Sequence, residues 1–198
     1  MASKLSQLAQ QKTAAQLQTM GREAITWLTK KISDLRNVTG IASTIGKEDF
    51  RKRNRFQVGG LYYFYYDPKT KADIPYYDRF PLVLVLDIKT DGFLGLNLHY
   101  LPLRHRLDLL DKMMEYAILD GNNDVQRMTV TYDILNASRR FKEFKPCLKK
   151  YLFNYTQSQI LAVQPNEWDI AAFLPIQQFR KASVNEVWQD SLQEIRKN

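Results

Sequence analysis

Residues 59–102 read GGLYYFYYDPKTKADIPYYDRFPLVLVLDIKTDGFLGLNLHYLP. Leu61–Tyr66 carries aromatic rings at nearly every position, which predicts a strand covered on both faces. Asp67-Pro68-Lys69-Thr70 has turn composition. Tyr76-Tyr77-Asp78-Arg79 then leads into a second strand at Leu82–Ile88. Lys89-Thr90-Asp91-Gly92 predicts a hairpin turn in which Asp91-Gly92 supplies positive-φ chemistry. In a third strand, Phe93–Tyr100, residues Leu94, Leu96, Leu98 and Tyr100 alternate with Phe93, Gly95, Asn97 and His99, so one face is fully buried. Three short strands with tight turns and flanking helices predict an α+β fold, the sheet being a small antiparallel SH3-like barrel.

Outward from that block the helices follow from periodicity. Leu17, Met20, Ala24, Trp27 or Leu28, and Leu35 recur at three- and four-residue steps, predicting a long N-terminal helix from about Ser6 to Arg36. Gly40–Phe56 has linker composition. After Pro102 a helix over Leu103–Leu119 places Leu103, Leu107, Leu110, Met114 and Ala117 on one face. Gly121-Asn122-Asn123-Asp124 breaks it. Met128–Thr131 suggests a short strand, Tyr132–Phe141 a helix, Ile160–Val163 a strand and Pro165–Trp168 a short helix. Ser183 and Glu186 form a capping box that starts a last helix, with Val187, Trp188, Ser191, Leu192 and Ile195 on its inner face. The expected organisation is an arm over residues 1–57, helix plus basic linker, and an α+β body over 58–198.

The formal charge is +8, and its placement matters more than its size. Residues 1–58 hold 11 Lys/Arg against 4 Asp/Glu, whereas 59–198 hold 18 against 17. A basic arm on a nearly neutral body points to an acidic partner, nucleic acid or an acidic protein surface. Arg51, Lys52, Arg53 and Arg55 form one cluster, read either as a solvated loop or as a phosphate-contacting segment. Arg139, Arg140, Lys142, Lys145, Lys149 and Lys150 form a second, interleaved with Phe141, Phe144, Tyr151, Phe153 and Tyr155. Basic and aromatic residues together grip a DNA backbone and stack on exposed bases. The competing reading has the rings in the core and the lysines in water. Tyr76 and Tyr77 are further stacking candidates, though packing is the commoner use of a tyrosine at a strand entry.

Little else suggests chemistry. The one cysteine, Cys147, excludes an intrachain disulfide and fits a reducing compartment or an assembled particle. The start lacks an apolar segment of signal-peptide type, and the longest apolar run, Pro81–Leu86, is too short to span a bilayer, so a soluble protein without membrane partners is expected. No nucleotide-loop, metal-ligand or nucleophile-elbow motif occurs. His99 and His105 read as structural, with phosphate contact by His105, within Arg104-His105-Arg106, a minor alternative. Asp133 with Glu143-Phe144-Lys145 imitates a nuclease carboxylate set, but Asp133 falls in a predicted helix and Pro146 follows directly. No catalytic residue, metal site or cofactor is expected. A ribonuclease of the toxin-barrel type would share the strand layout, but this chain offers no acid–base pair placed to do its work.

Three strings carry a family resemblance: Gly60–Lys71, Ile74–Val83 and Asp91–Pro102. Shorter matches lie at Phe144–Cys147, Glu167–Ile170 and Phe173–Pro175. Together they resemble the DNA end protector family of T-even-like tailed phages from about Val58 to Ser183, with residues 1–57 not clearly covered. The resemblance implies a non-enzymatic virion protein that sits on the termini of packaged linear double-stranded DNA and enters the host cytoplasm with it. There it blocks end-dependent exonuclease. It also implies a part in head completion and head–tail joining, with other phage head and neck proteins as partners. Self-association is left open. The alternative is a purely structural neck or tail-completion protein that does not bind DNA ends.

Overall fold

The computed structural model describes residues 19–31, 56–119, 141–157, 160–164 and 167–197. Seven strands occur among them: β1 (Leu61–Tyr63), β2 (Tyr77–Asp78), β3 (Leu82–Ile88), β4 (Gly92–Asn97), β5 (Leu148–Leu152), β6 (Leu161–Val163) and β7 (Phe179–Arg180). The helical segments are α1 (19–31), α2 (Leu103–Leu119), α3 (Phe144–Cys147), α4 (Trp168–Ala172) and α5 (Val184–Arg196). Five strands form an antiparallel sheet in the order β5-β4-β3-β1-β6, while β2 and β7 form a separate two-stranded ribbon.

The sheet is buried on both faces because its strands alternate two apolar sets. Leu61, Tyr63, Leu82, Leu84, Leu86 and Leu96 face the helices, where they meet Ala24 and Leu28 of α1, Leu107 and Leu110 of α2, and Val187 of α5. Tyr62, Phe64, Val83, Val85, Phe93 and Tyr151 face the other way into an aromatic cluster closed by Phe56 and Phe153. Phe56 lies 4.4 Å from the Phe93 ring centroid, 5.2 Å from Tyr62 and 5.5 Å from Phe64. Offset and edge contacts of this kind add to the gain from burial alone.

The α+β expectation holds. The sheet is open, with β5 and β6 at its two ends, so it does not form the closed barrel that was expected. After β5 the chain makes a 3-10 turn, Phe153–Tyr155, and crosses to the continuation of β1. There Asp67 N–H donates to the Tyr155 carbonyl (3.1 Å), Gln157 N–H donates to Tyr65 (2.8 Å), and Tyr66 bridges Thr156.

Several boundaries differ from the sequence reading for local reasons. The third strand stops at Asn97 because the Asn97 side-chain oxygen accepts from His99 N–H (3.0 Å) and caps a 3-10 turn, Leu98–Tyr100. The hairpin turn is present, Lys89 N–H donating to the Gly92 carbonyl (2.8 Å), but Gly92 has no positive φ. Glycine is required there by close approach, since a Cβ would overlap the Tyr151 carbonyl oxygen. The short helix expected to end at Trp168 begins there. The Ser183–Glu186 capping box is complete in both directions. Of the predicted N-terminal helix, residues 19–31 are described and helical. The remainder of that helix, the linker up to Arg55, and the elements predicted between Gly121 and Arg140 lie outside the described residues.

Phe56 closes the aromatic cluster although it falls in the predicted linker. Phe56→Ala is expected to cost about 3–5 kcal/mol of unfolding free energy, read as a lower urea midpoint. A change within about 0.5 kcal/mol, typical of surface positions, would show that the ring is not part of the core.

Candidate nucleic-acid interface

The resemblance-bearing strings fold into one buried polar knot. Asp78 of β2 is 3 % exposed, and a buried carboxylate must be satisfied by donors. Its Oδ1 accepts from Phe80 N–H (3.0 Å) and Gln178 N–H (3.2 Å). Its Oδ2 accepts from the Asn97 amide (3.3 Å) and lies 2.7 Å from His99 Nδ1. An ionised carboxylate only accepts, so Nδ1 carries the His99 proton. Nε2 is buried without a partner. The His99 carbonyl accepts from Trp188 Nε1 (2.9 Å), which ties α5 to the same point. Burial holds the His99 imidazole below its usual range, against the opposing pull of Asp78. With both side chains fully enclosed, this pair resembles an acid–base dyad but has no access to a substrate.

Arg106 backs the knot. Its guanidinium is enclosed and donates to three carbonyls: Leu98 (3.1 Å), Ala172 (2.9 Å) and Leu101 (3.3 Å). Leu98 and Ala172 lie in short helical turns and Leu101 just beyond one, and the Leu98 carbonyl also accepts from Leu101 N–H (3.2 Å). Tyr63 Oη likewise donates to the Ala171 carbonyl (2.9 Å). Burial lowers the Arg106 pKa to about 10, leaving it charged at neutral pH. Arg106 is therefore unavailable to phosphate, whereas Arg104 is exposed and His105 is partly buried. Arg106 lies on the stripe of Leu103, Leu107 and Leu110, and that helical spacing is the signal that could have placed it inside. Burial also pushes the Cys147 thiol up to about 12.

The candidate DNA-binding cations divide. Arg51, Lys52, Arg53, Arg55, Arg139 and Arg140 lie outside the described residues. Lys142 and Lys145 are exposed. Lys149 is packed with its Nζ 4.3 Å from the Tyr100 ring centroid, and burial lowers its pKa. Lys150 pairs with Asp91 at 3.0 Å on the surface. The interleaved rings go inward: Phe144 and Tyr151 are core residues, and Tyr155 is partly buried. Tyr76 packs on Tyr100 and Phe179, whereas Tyr77 is half-exposed. Of the nuclease-like set, Glu143 pairs with Lys112 (3.1 Å), and Asp133 lies outside the described residues.

Among the described residues no group of three or more His, Cys, Asp or Glu could hold a metal ion. No described helix is long and apolar enough to cross a membrane. Among the described residues a shallow depression is lined by Ile88, Lys89, Thr90, Asp91, Leu94 and Lys150. Two of its lining residues, Lys150 and Asp91, pair with each other at 3.0 Å.

The described residues thus combine a buried polar knot that no substrate can reach with exposed cations at Lys142 and Lys145 on a nearly neutral body. A family model described as the phage T4 terminal DNA protecting protein matches residues 8–191, and the chain belongs to that family. The match begins well inside the predicted arm, which the quoted strings had not reached. No curated protein and no solved structure matches the chain.

The depressed pKa of His99 fixes a sign. The unfolded imidazole takes up a proton near its ordinary pKa of about 6.5, the folded one only at lower pH. The unfolded state then holds more protons, and stability falls as the pH drops below about 6.5, by up to about 1.4 kcal/mol per pH unit. The urea midpoint should therefore fall between pH 7.5 and 5.5. In His99→Gln, whose amide can still donate to Asp78, that pH-dependent part should shrink, although the variant is less stable throughout. An equal fall in both proteins would remove His99 as the cause.

Proposed function

We propose that the protein binds the ends of packaged linear double-stranded DNA, shields them from host exonuclease, and contributes to head completion and head–tail joining in the virion. The match to the terminal DNA protecting family over most of the chain is the observation that carries this reading. The charge distribution supports it. Arg51, Lys52, Arg53 and Arg55 are joined directly to Phe56, whose ring is anchored in the core, and a five-residue segment reaches at most about 18 Å. We keep this cluster, with Arg139, Arg140, Lys142, Lys145, Lys149 and Lys150, as the phosphate-contacting set. Lys142 and Lys145 are the members whose exposure favours direct contact, while Lys149 and Lys150 would first have to leave Tyr100 and Asp91.

The role is read as non-enzymatic, because a cap needs electrostatic grip and a rigid abutting surface but no bond-making centre. In function we divide the chain into a gripping arm, 1–57, and a body, 58–198, although Ala24, Leu28 and Phe56 pack into the body's cores. The sheet is read as an SH3-like curl. Its support is the strand order together with the 3-10 turn that carries the chain from β5 back to the β1 side.

The test is exonuclease protection of linear duplex with nicked circular DNA as competitor and EDTA controls. Protection that the circles do not compete away is expected, with affinity falling linearly in log salt. Lys142→Glu with Lys145→Glu should weaken protection while leaving the thermal midpoint unchanged. Absence of protection at low salt would overturn direct capping and favour a structural role at the head–tail junction.

A further inference from the structure

The β2–β7 ribbon has one face in the core and one face outside. Its register pairs Tyr77 with Arg180 and Asp78 with Phe179, and Arg79 N–H donates to the Gln178 carbonyl (2.9 Å), extending the ladder by one pair. Side chains alternate across a ribbon. Asp78 and Phe179 turn inward, Asp78 into the polar knot and Phe179 onto Tyr100 at 5.1 Å between centroids. Tyr77, Arg79, Gln178 and Arg180 therefore share the outer face, where Arg79, Gln178 and Arg180 are exposed and Tyr77 is half-exposed.

This face is charged and unspent. Lys31, Lys71, Lys89, Lys112 and Lys150 all pair with carboxylates, whereas neither Arg79 nor Arg180 has an ion-pair partner among the described residues. The Tyr77 ring makes no ring contact among them, in contrast to Tyr76. Lys181, in a left-handed backbone conformation at φ 70°, donates to the carbonyls of Ala72 (2.9 Å) and Ile74 (3.0 Å). It thereby holds the neighbouring loop and adds its own charge. Within that loop Lys71 lies in electrostatic reach of Tyr77 and Arg79 and is hydrogen-bonded to Asp67. Asp73 is the other carboxylate there. The backing is rigid, since Asp78 Oδ1 holds Phe80 N–H and Gln178 N–H together from inside.

We propose that the outer face of the β2–β7 ribbon is a contact site for the end of duplex DNA, Arg79 and Arg180 taking terminal phosphates and Tyr77 lying against the exposed last base pair. The proposal rests on the end-capping reading and adds a site outside both basic clusters. Planar guanidiniums donate in pairs to phosphate oxygens. Gln is a common further donor to the backbone. An aromatic ring stacks on any base without regard to sequence, as a cap on arbitrary ends requires. A blunt end is also the one place on a duplex where a base-pair face is open to such a ring.

The test is binding of a labelled hairpin duplex with one open end and of a dumbbell duplex with both ends closed, by anisotropy across a salt series. Wild type should prefer the hairpin. Arg79→Gln with Arg180→Gln should weaken hairpin binding about tenfold or more and flatten the log–log salt slope by about two. The Arg79→Lys, Arg180→Lys pair should retain the slope. Tyr77→Leu should cut the hairpin-over-dumbbell preference about fivefold or more at unchanged slope. Thermal midpoints equal to wild type would confirm that each variant is folded. Variants that keep wild-type affinity, slope and end preference would overturn the ribbon assignment and leave end capping in place. A wild-type protein that does not distinguish hairpin from dumbbell would overturn the end-capping reading, and this site with it.

Discussion

The structure turns on the need to satisfy one buried carboxylate. Asp78 cannot be enclosed as an anion without donors around it. The donors come from four places in the chain: Phe80 beside it, Asn97 at the end of β4, His99 in the following turn, and Gln178 far downstream. Through them the ribbon, the end of β4 and the first 3-10 turn are fixed to one another, and through the His99 carbonyl α5 is fixed as well. Removing one partner of such a network leaves the others buried and unpaired, which costs more than the lost bond itself. The strings that carry the family resemblance therefore serve architecture first.

The second constraint is that the sheet has no solvent face. Alternation along β1 and β3 sends leucines toward the helices and aromatics toward Phe56. A sheet covered on both sides cannot present a broad face to a ligand, so recognition is left to edges, loops and appended elements. Cations were correspondingly drawn off. Lys149 lies over Tyr100 and Arg106 caps carbonyls inside the body. What the two have in common is a long apolar stem with a polar head that can reach a partner.

Membership in the terminal DNA protecting family and this architecture are mutually consistent at the level of physics. Grip on a polyanion scales with the number of phosphates neutralised. It can be distributed over an arm and scattered surface cations without any cavity.

Much of the fold was legible in the sequence because it rests on local rules. Leu82–Ile88, Leu103–Leu119 and the Ser183–Glu186 capping box follow from alternation, helical spacing and N-cap chemistry, all short-range. The family strings likewise identified the protein's class. Long-range pairing was not legible. β5 was masked as a basic cluster, since Lys149 and Lys150 break its alternation, and only its register with β4 makes it a strand. The ribbon joins Tyr77 to Arg180, and no periodicity spans such a separation. The fate of each charged side chain was equally hidden. The sequence by itself determined the central strands β1, β3 and β4, helix α2, the capping box of α5, the charge balance and the family. The tertiary structure alone decided which polar residues are buried and which cations stay free, because burial and pairing depend on neighbours brought together only by folding.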